Sequence, residues 1–369
     1  MSRMINRLPT KYDPAIVGAM FEFLRAAICD SAPKIKETVV IDWAALQKIS
    51  AEQGVLSWVW DGICMLPEFQ RPSRFSRISW GLSAQQVWDR YQCQKVVLKE
   101  LVEICQAHDM RLMLLKGIGL SHLYPKPQSR PSGDIDIYLF EDFEKGNKVF
   151  LSDEDTNTGL HTEFVYKGVQ VENHEMFIYP NTTTKKLTGQ YLLRRAQQVV
   201  KSPEGYYTFA SMDNLVYLMM HALNHVNFNV NVSFLNIRNL TDIAVLIKHY
   251  RAEWNPDELT KLMQELLLGP SFELVLYFSE WLLKMDFSEY HRDFIKSKDL
   301  VIIKKLFMEN CLTVPSIKSH SFFVRFESYV LRYYYFHKIY KYMPQHKKSF
   351  FWSAMHQFLQ SLKSKKSEV

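Results

Sequence analysis

The sequence predicts an α+β protein, with a mixed β-sheet core set between N-terminal and C-terminal helical regions. Three observations carry this. Apolar residues recur at helical spacing over about 14–105 and again from about 210 onwards, while the stretch between them holds short, alternating, β-branched runs. The chain has 369 residues, enough for two or three packed units and a sizeable core. It has only 13 glycines but is 14% aromatic, which favours helices and a filled interior over a turn-rich β-sandwich. The expected division is a helical region at 1–108, an α/β core at 109–204, a helical domain at 205–320 and a basic, aromatic-rich helical tail at 321–369.

In the first region Pro14 can open a helix over AIVGAMFEFLRAAI. Asp42 is placed to cap WAALQKISAEQG, which Gly54 ends. The run VLSWVWDGICML is apolar on all sides and predicts a buried helix. A long amphipathic helix follows from Ser83, with Trp88, Tyr91, Val96, Leu98, Leu101 and Ile104 on its apolar face. These helices read as a scaffold that buttresses the sheet.

The core predicts a strand at 111–115, a helix at 117–124, an acidic strand at 135–140, a helix from about 141, and a hairpin of HTEFVYKG with VQVENHEMFIY turning near Lys167-Gly168. The chemistry concentrates in LLKGIGLSHLYPKPQSRPSGDIDIYL, residues 114–139. In a strand, residues i and i+2 share a face. Asp134 and Asp136 therefore project together, while Ile135 and Ile137 face the core. Paired carboxylates on a rigid strand suit a hard cation shared with substrate phosphates. Upstream, Lys116-Gly117 turns a strand into a helix, which lets backbone N–H groups approach a phosphate. A third carboxylate is expected from Glu172, on one face with His174, or else from Glu163. The coincidence of strand–Lys–Gly–helix, a linker with Arg130, and the acidic strand raises D-x-D above a weak motif.

These residues resemble the nucleotidyltransferase superfamily of DNA polymerase β and the aminoglycoside nucleotidyltransferases. More closely, Leu115, Lys116, Gly117, Tyr124, Pro125, Arg130, Pro131, Gly133, Asp134, Asp136, Glu172 and His174 resemble a bacterial family of uncharacterised nucleotidyltransferases, over roughly residues 43 to 285. The superfamily's Gly-Ser or Gly-Gly turn is replaced here by Lys116-Gly117-Ile118. The resemblance implies Mg²⁺-dependent transfer of a nucleoside monophosphate from an NTP to a hydroxyl. It places Asp134, Asp136 and Glu172 at the metal, and Lys116, Gly117, Arg130, Gly133 and His174 at the nucleotide. Glu172 would either complete the second metal site or accept the acceptor's proton. Lys116 reads equally as a phosphate ligand or a solvated strand end. Arg130 reads as an ion pair for the acidic strand or as a phosphate ligand. His174 reads as a hydrogen-bonded sheet residue or a substrate contact. A descendant that binds nucleotide without transfer is the alternative.

Beyond 210, Ser211 or Asp213 is placed to cap NLVYLMMHALNHV. His221 and His225 share a helix face without the H-E-x-x-H pattern, so a zinc site is not indicated. Arg238 and Asp242 also share a face, at ion-pair spacing. The resemblance makes His221, His225 and Asp242 candidate pocket residues. Past Phe322, nine Lys and Arg (from Arg325 to Lys366) face only Glu327 and Glu368. This reads first as a solvated helical face and second as a surface for an anionic partner.

Net charge is +6, compatible with a nucleoside triphosphate but not demanding a nucleic acid. The five cysteines (Cys29, Cys64, Cys93, Cys105, Cys311) lack C-x-x-C spacing and read as thiols of a reducing compartment. With no signal-peptide run near the start and no membrane-length apolar stretch, the expected location is the cytoplasm. The acceptor is open: a small molecule, a protein side chain or an RNA end.

Overall fold

The computed structural model describes residues 12–35, 40–151, 156–157, 161–224 and 236–306. His225 and the basic tail at 321–369 lie outside the described residues.

The N-terminal helices begin where local chemistry satisfies their free N–H groups. Helix α1 (Pro14–Cys29) has proline in its first turn, and the Asp13 carboxylate accepts from the Ala15 N–H at 2.7 Å. Helix α2 (Trp43–Glu52) is capped by Asp42, which accepts from Ala44 and Ala45. Helix α3 (Leu56–Cys64) crosses α1 so closely that a Cβ at Gly62 would lie 2.2 Å from the Phe23 carbonyl oxygen. The long helix α4 (Arg74–Ala107) starts nine residues earlier than the sequence suggests, because Ser73, just after Pro72, caps it. Its buried face is Val97, Leu98, Leu101, Val102 and Cys105, whereas Val96 is exposed. Val96 sits about 100° around the helix from Val97, enough to leave the seam.

The strands are β1 (Met113–Leu114), β2 (Asp134–Tyr138), β3 (Thr156–Asn157), β4 (His161–Tyr166), β5 (Val169–His174), β6 (Val200–Lys201) and β7 (Tyr207–Thr208), in the order β3-β4-β5-β2-β1-β7-β6. The sheet is mixed: β2 runs parallel to β5 and antiparallel to β1. The β4–β5 hairpin turns on Lys167 and Gly168, both at positive φ, as a tight reversal requires. The expected helix at 117–124 is a 3₁₀ segment, Gly117–Leu123. Helix α5 (Phe143–Phe150) follows β2.

One face of the sheet is apolar. Ile135, Ile137, Phe164, Val169 and Val171 pack with the buried face of α4. The other face carries the acidic residues and turns toward the C-terminal helices. These are α6 (Thr183–Arg195), α7 (Ser211–Asn224), α8 (Ile237–Tyr250), α9 (Pro256–Glu265), α10 (Gly269–Leu283) and α11 (Ser297–Leu306). A second apolar cluster joins α1 to α3 with α7, α8 and α10. Neither expected cap of α7 is spent on a cap. Asp213 accepts from Tyr191 and from Arg195 Nε (2.8 Å), and Ser211 Oγ accepts from Trp254 Nε1 at 2.9 Å.

Candidate active site

Strand register assembles the acidic centre. Parallel pairing sets Asp136 opposite Glu172 and Asp134 opposite Gln170, so the side chains of Asp134, Asp136 and Glu172 share one face. Their nearest carboxylate oxygens lie within 4.8 Å of one another. Asp136 is wholly buried, while the Asp134 and Glu172 side chains keep 28% and 16% exposure. Glu163 lies opposite Glu172 on β4, and its carboxylate accepts from His161 Nε2 (3.0 Å) and Gln170 Nε2 (3.2 Å). The three-carboxylate group therefore includes Glu172 and leaves Glu163 beside it.

Two cationic side chains answer this charge. Lys116 Nζ sits 2.8 Å from Asp136 Oδ1 and 3.4 Å from Asp134 Oδ2. His174 Nε2 lies 3.0 Å from Asp136 Oδ1 and 3.3 Å from Glu172 Oε2. Burial favours the neutral form of all three groups, but their mutual attraction wins. Burial would raise the Asp136 carboxyl; Lys116 and His174 instead hold it well below the usual carboxylate range. Burial would lower His174, yet its bonds to Asp136 and Glu172 lift it to about 9. Lys116 is likewise raised, burial being outweighed by Asp136 and Asp134. The other Asp136 oxygen, Oδ2, is buried with no hydrogen-bond partner.

Gly117 opens the space above this pair. Its φ is +63°, and a Cβ there would stand 3.0 Å from Ser132 Oγ, 3.3 Å from the Asp134 carbonyl oxygen and 4.0 Å from Asp136 Oδ2. An open cleft begins here, lined by Lys116, Gly117, Ser132, Gly133 and Asp134 from the core and by His221 and Arg238 from α7 and α8. Tyr217, one turn before His221, is buried and faces the acidic centre. Burial, then the charges of Asp136, Glu172 and Asp134, raise its hydroxyl well above the ordinary value.

Arg130 lines the cleft, but its guanidinium is committed. Nε and Nη2 donate to the two Asp242 oxygens at 2.9 and 2.7 Å, and the Tyr124 hydroxyl donates to Asp242 Oδ1 at 2.6 Å. Arg130 and Asp242 are both buried, and burial alone would lower the arginine; the Asp242 charge keeps it raised. Asp242 thus takes Arg130 and not Arg238, its neighbour at helical spacing. Arg238, half-buried in the cleft wall, makes no ion pair among the described residues. The ion-pair expectation for Arg238 and Asp242 concealed it. Ser132, Tyr217 and His161 were also passed over. Only His161 left a readable signal: it stands two residues before Glu163 on the alternating run, on the face that carries Glu172.

Residues 40–284 match a family model described as uncharacterised nucleotidyltransferase. The chain belongs to that family. Comparison with curated proteins and with solved structures found no match. The mixed sheet with many helices is consistent with a nucleotidyltransferase-type α+β fold, and the acidic strand, the Lys116-Gly117 turn and the Glu172 strand all lie inside the family's span. No helix among the described residues is long and apolar enough to cross a membrane.

Proposed function

We propose that this nucleotidyltransferase moves a nucleoside monophosphate from an NTP to a hydroxyl acceptor, with Mg²⁺ held by Asp134, Asp136 and Glu172. The observation that carries this is the convergence of three carboxylates beside a cleft, one of them offering a buried oxygen without a partner. That donor set is all oxygen and fits a hard cation. When bound, the ion would neutralise triphosphate charge and lower the pKa of the acceptor hydroxyl.

The chain's own groups fit around this. Gly117 keeps the approach to Asp136 clear. Arg238 supplies a positive charge to the cleft wall for phosphate oxygens, joined by Lys116 from the opposite side. His174, raised to about 9 by Asp136 and Glu172, lies within hydrogen-bond distance of both and orients them. Glu172 is then the side chain that either shares the ion or takes the acceptor's proton. Arg130 acts through structure, pinning the loop before β2 to α8.

A second reading, nucleotide binding without transfer, draws on Lys116, whose ammonium stands between the two aspartates. The test is incubation with α-³²P-labelled NTPs, Mg²⁺ and fractionated cell extract. Label should pass to an acceptor with release of pyrophosphate, and Asp134→Asn should stop it. Nucleotide binding with no label transfer from any NTP to any fraction would favour the second reading. The acceptor class (small molecule, protein or RNA) would come from the labelled fraction.

A further inference from the structure

Adjacent to the carboxylate centre, the β4–β5 hairpin builds a group of different chemistry. The tight turn at Lys167-Gly168 fixes the antiparallel register, so His161 stands opposite His174 and Glu163 opposite Glu172. All four side chains emerge on the face that carries Asp136. His174 Nε2 lies 3.3 Å and His161 Nε2 3.9 Å from the same oxygen, Glu172 Oε2. The two imidazole centroids are 5.1 Å apart, and one ligand atom from each of His161, Glu172 and His174 falls within 4.8 Å of the others. His161 and Glu172 side chains are each 16% exposed and His174 is 8% exposed, so solvent reaches the group without dissolving it.

We propose that His161, Glu172 and His174 form a binding site for a first-row transition-metal dication, of the Mn²⁺, Co²⁺ or Zn²⁺ class, next to the all-oxygen site. Bonds of about 2.0–2.2 Å to nitrogen and oxygen put ligand atoms about 3.3–3.6 Å apart around a tetrahedral ion. The observed spacings need only small rotamer adjustments to reach this. Two imidazoles and one carboxylate select against Mg²⁺, which takes oxygen ligands, and toward the later metals. Asp136 Oδ1, 3.0 Å from His174 Nε2, and Glu163, 3.0 Å from His161 Nε2, flank the ligands on either side, and the ion takes the place of the proton that His174 shares with Asp136 and Glu172, which is released on binding. Glu172 belongs to both groups, which makes it the bridge between a hard position and a softer one. A part for this ion in nucleotidyl transfer rests on the function proposed above; the site itself does not.

The experiment is a Co²⁺ titration of the full-length protein in excess Mg²⁺, followed by visible absorption. One Co²⁺ should bind with nitrogen–oxygen ligand-field bands, and stoichiometric Zn²⁺ should displace it. His161→Gln should weaken Co²⁺ binding at least about tenfold, the loss typical even of a group beyond the ligands themselves. Asp134→Asn should leave the Co²⁺ bands in place while removing Mg²⁺-dependent NTP binding, so the two sites fail separately. Should His161→Gln not fold, the imidazole NMR resonances of the wild type carry the test: Zn²⁺ should shift those of His161 and His174 selectively. Unchanged Co²⁺ affinity in folded His161→Gln, displacement of Co²⁺ by the Mg²⁺ present, or unshifted His161 and His174 resonances would overturn the proposal.

Discussion

Asp134 and Asp136 share a strand face but differ in what surrounds them, and their substitutions should differ accordingly. The Asp134 side chain is 28% exposed, with Lys116 at 3.4 Å, so Asp134→Asn should cost under about 1 kcal/mol of stability. Asp136 is wholly buried against Lys116 and His174. Asp136→Asn removes the nearest counter-charge of both cations and should cost about 3 kcal/mol. Urea unfolding of the two variants checks the contrast; equal losses would mean that Asp136 is not the electrostatic centre. Gly117→Ala meets both a positive φ and a 3.0 Å contact with Ser132 Oγ. It should cost about 1–2 kcal/mol and narrow the approach to Asp136. Asp134 should therefore be the substitution that separates chemistry from folding. The aspartates were legible as a pair because strand periodicity puts i and i+2 together. Their difference in burial was not, because Asp136 is enclosed by groups distant in sequence, Lys116, His174 and Tyr217 among them.

At the scale of elements, two polar ties set the geometry. Arg130 and Asp242 lie 112 residues apart and join the loop before β2 to α8. Removing Arg130 alone (Arg130→Met) should cost about 3–5 kcal/mol, since it leaves Asp242 buried and charged. Arg130→Met with Asp242→Leu should recover much of that loss. A double-mutant cycle by chemical denaturation measures it. No local pattern showed this pair; helical spacing offered Arg238 instead, a partner four residues away that the tertiary fold does not use. The second tie is His291, whose Nε2 is 2.9 Å from Glu280 Oε1 and whose Nδ1 is 3.5 Å from Glu273 Oε1, both on α10. Burial would lower it, but those carboxylates raise it from 6.5 to about 9. A raised histidine stabilises fully below its unfolded pKa, and that stability is lost as pH climbs through the folded one. Unfolding free energy should therefore fall between pH 6.5 and about 9. The His291 share should be about 1–2 kcal/mol after solvent screening, and His291→Gln should lose that share of the slope. An unchanged slope would show that His291 is not held by α10. By contrast, the β4–β5 hairpin was readable down to its turn, because alternation and Lys167-Gly168 are both local signals.

For the whole molecule, the helical flanks and the mixed sheet follow from periodicity, and the family match over residues 40–284 agrees with the acidic-strand motif. What periodicity could not supply is the way α7 and α8 come back over the sheet to wall the cleft with His221 and Arg238. That arrangement depends on apolar packing of α7, α8 and α10 with α1 and α3, among residues distant in sequence. It makes the site a joint product of the core and the helices after it, with carboxylates from one and a cation from the other. The most direct test of this account is isothermal titration of each NTP, with and without Mg²⁺, on wild type and on Asp134→Asn. Binding that requires Mg²⁺ and disappears in a folded Asp134→Asn protein is the predicted result. A folded wild type that binds no NTP, or binds one equally well without Mg²⁺ and without Asp134, would contradict it.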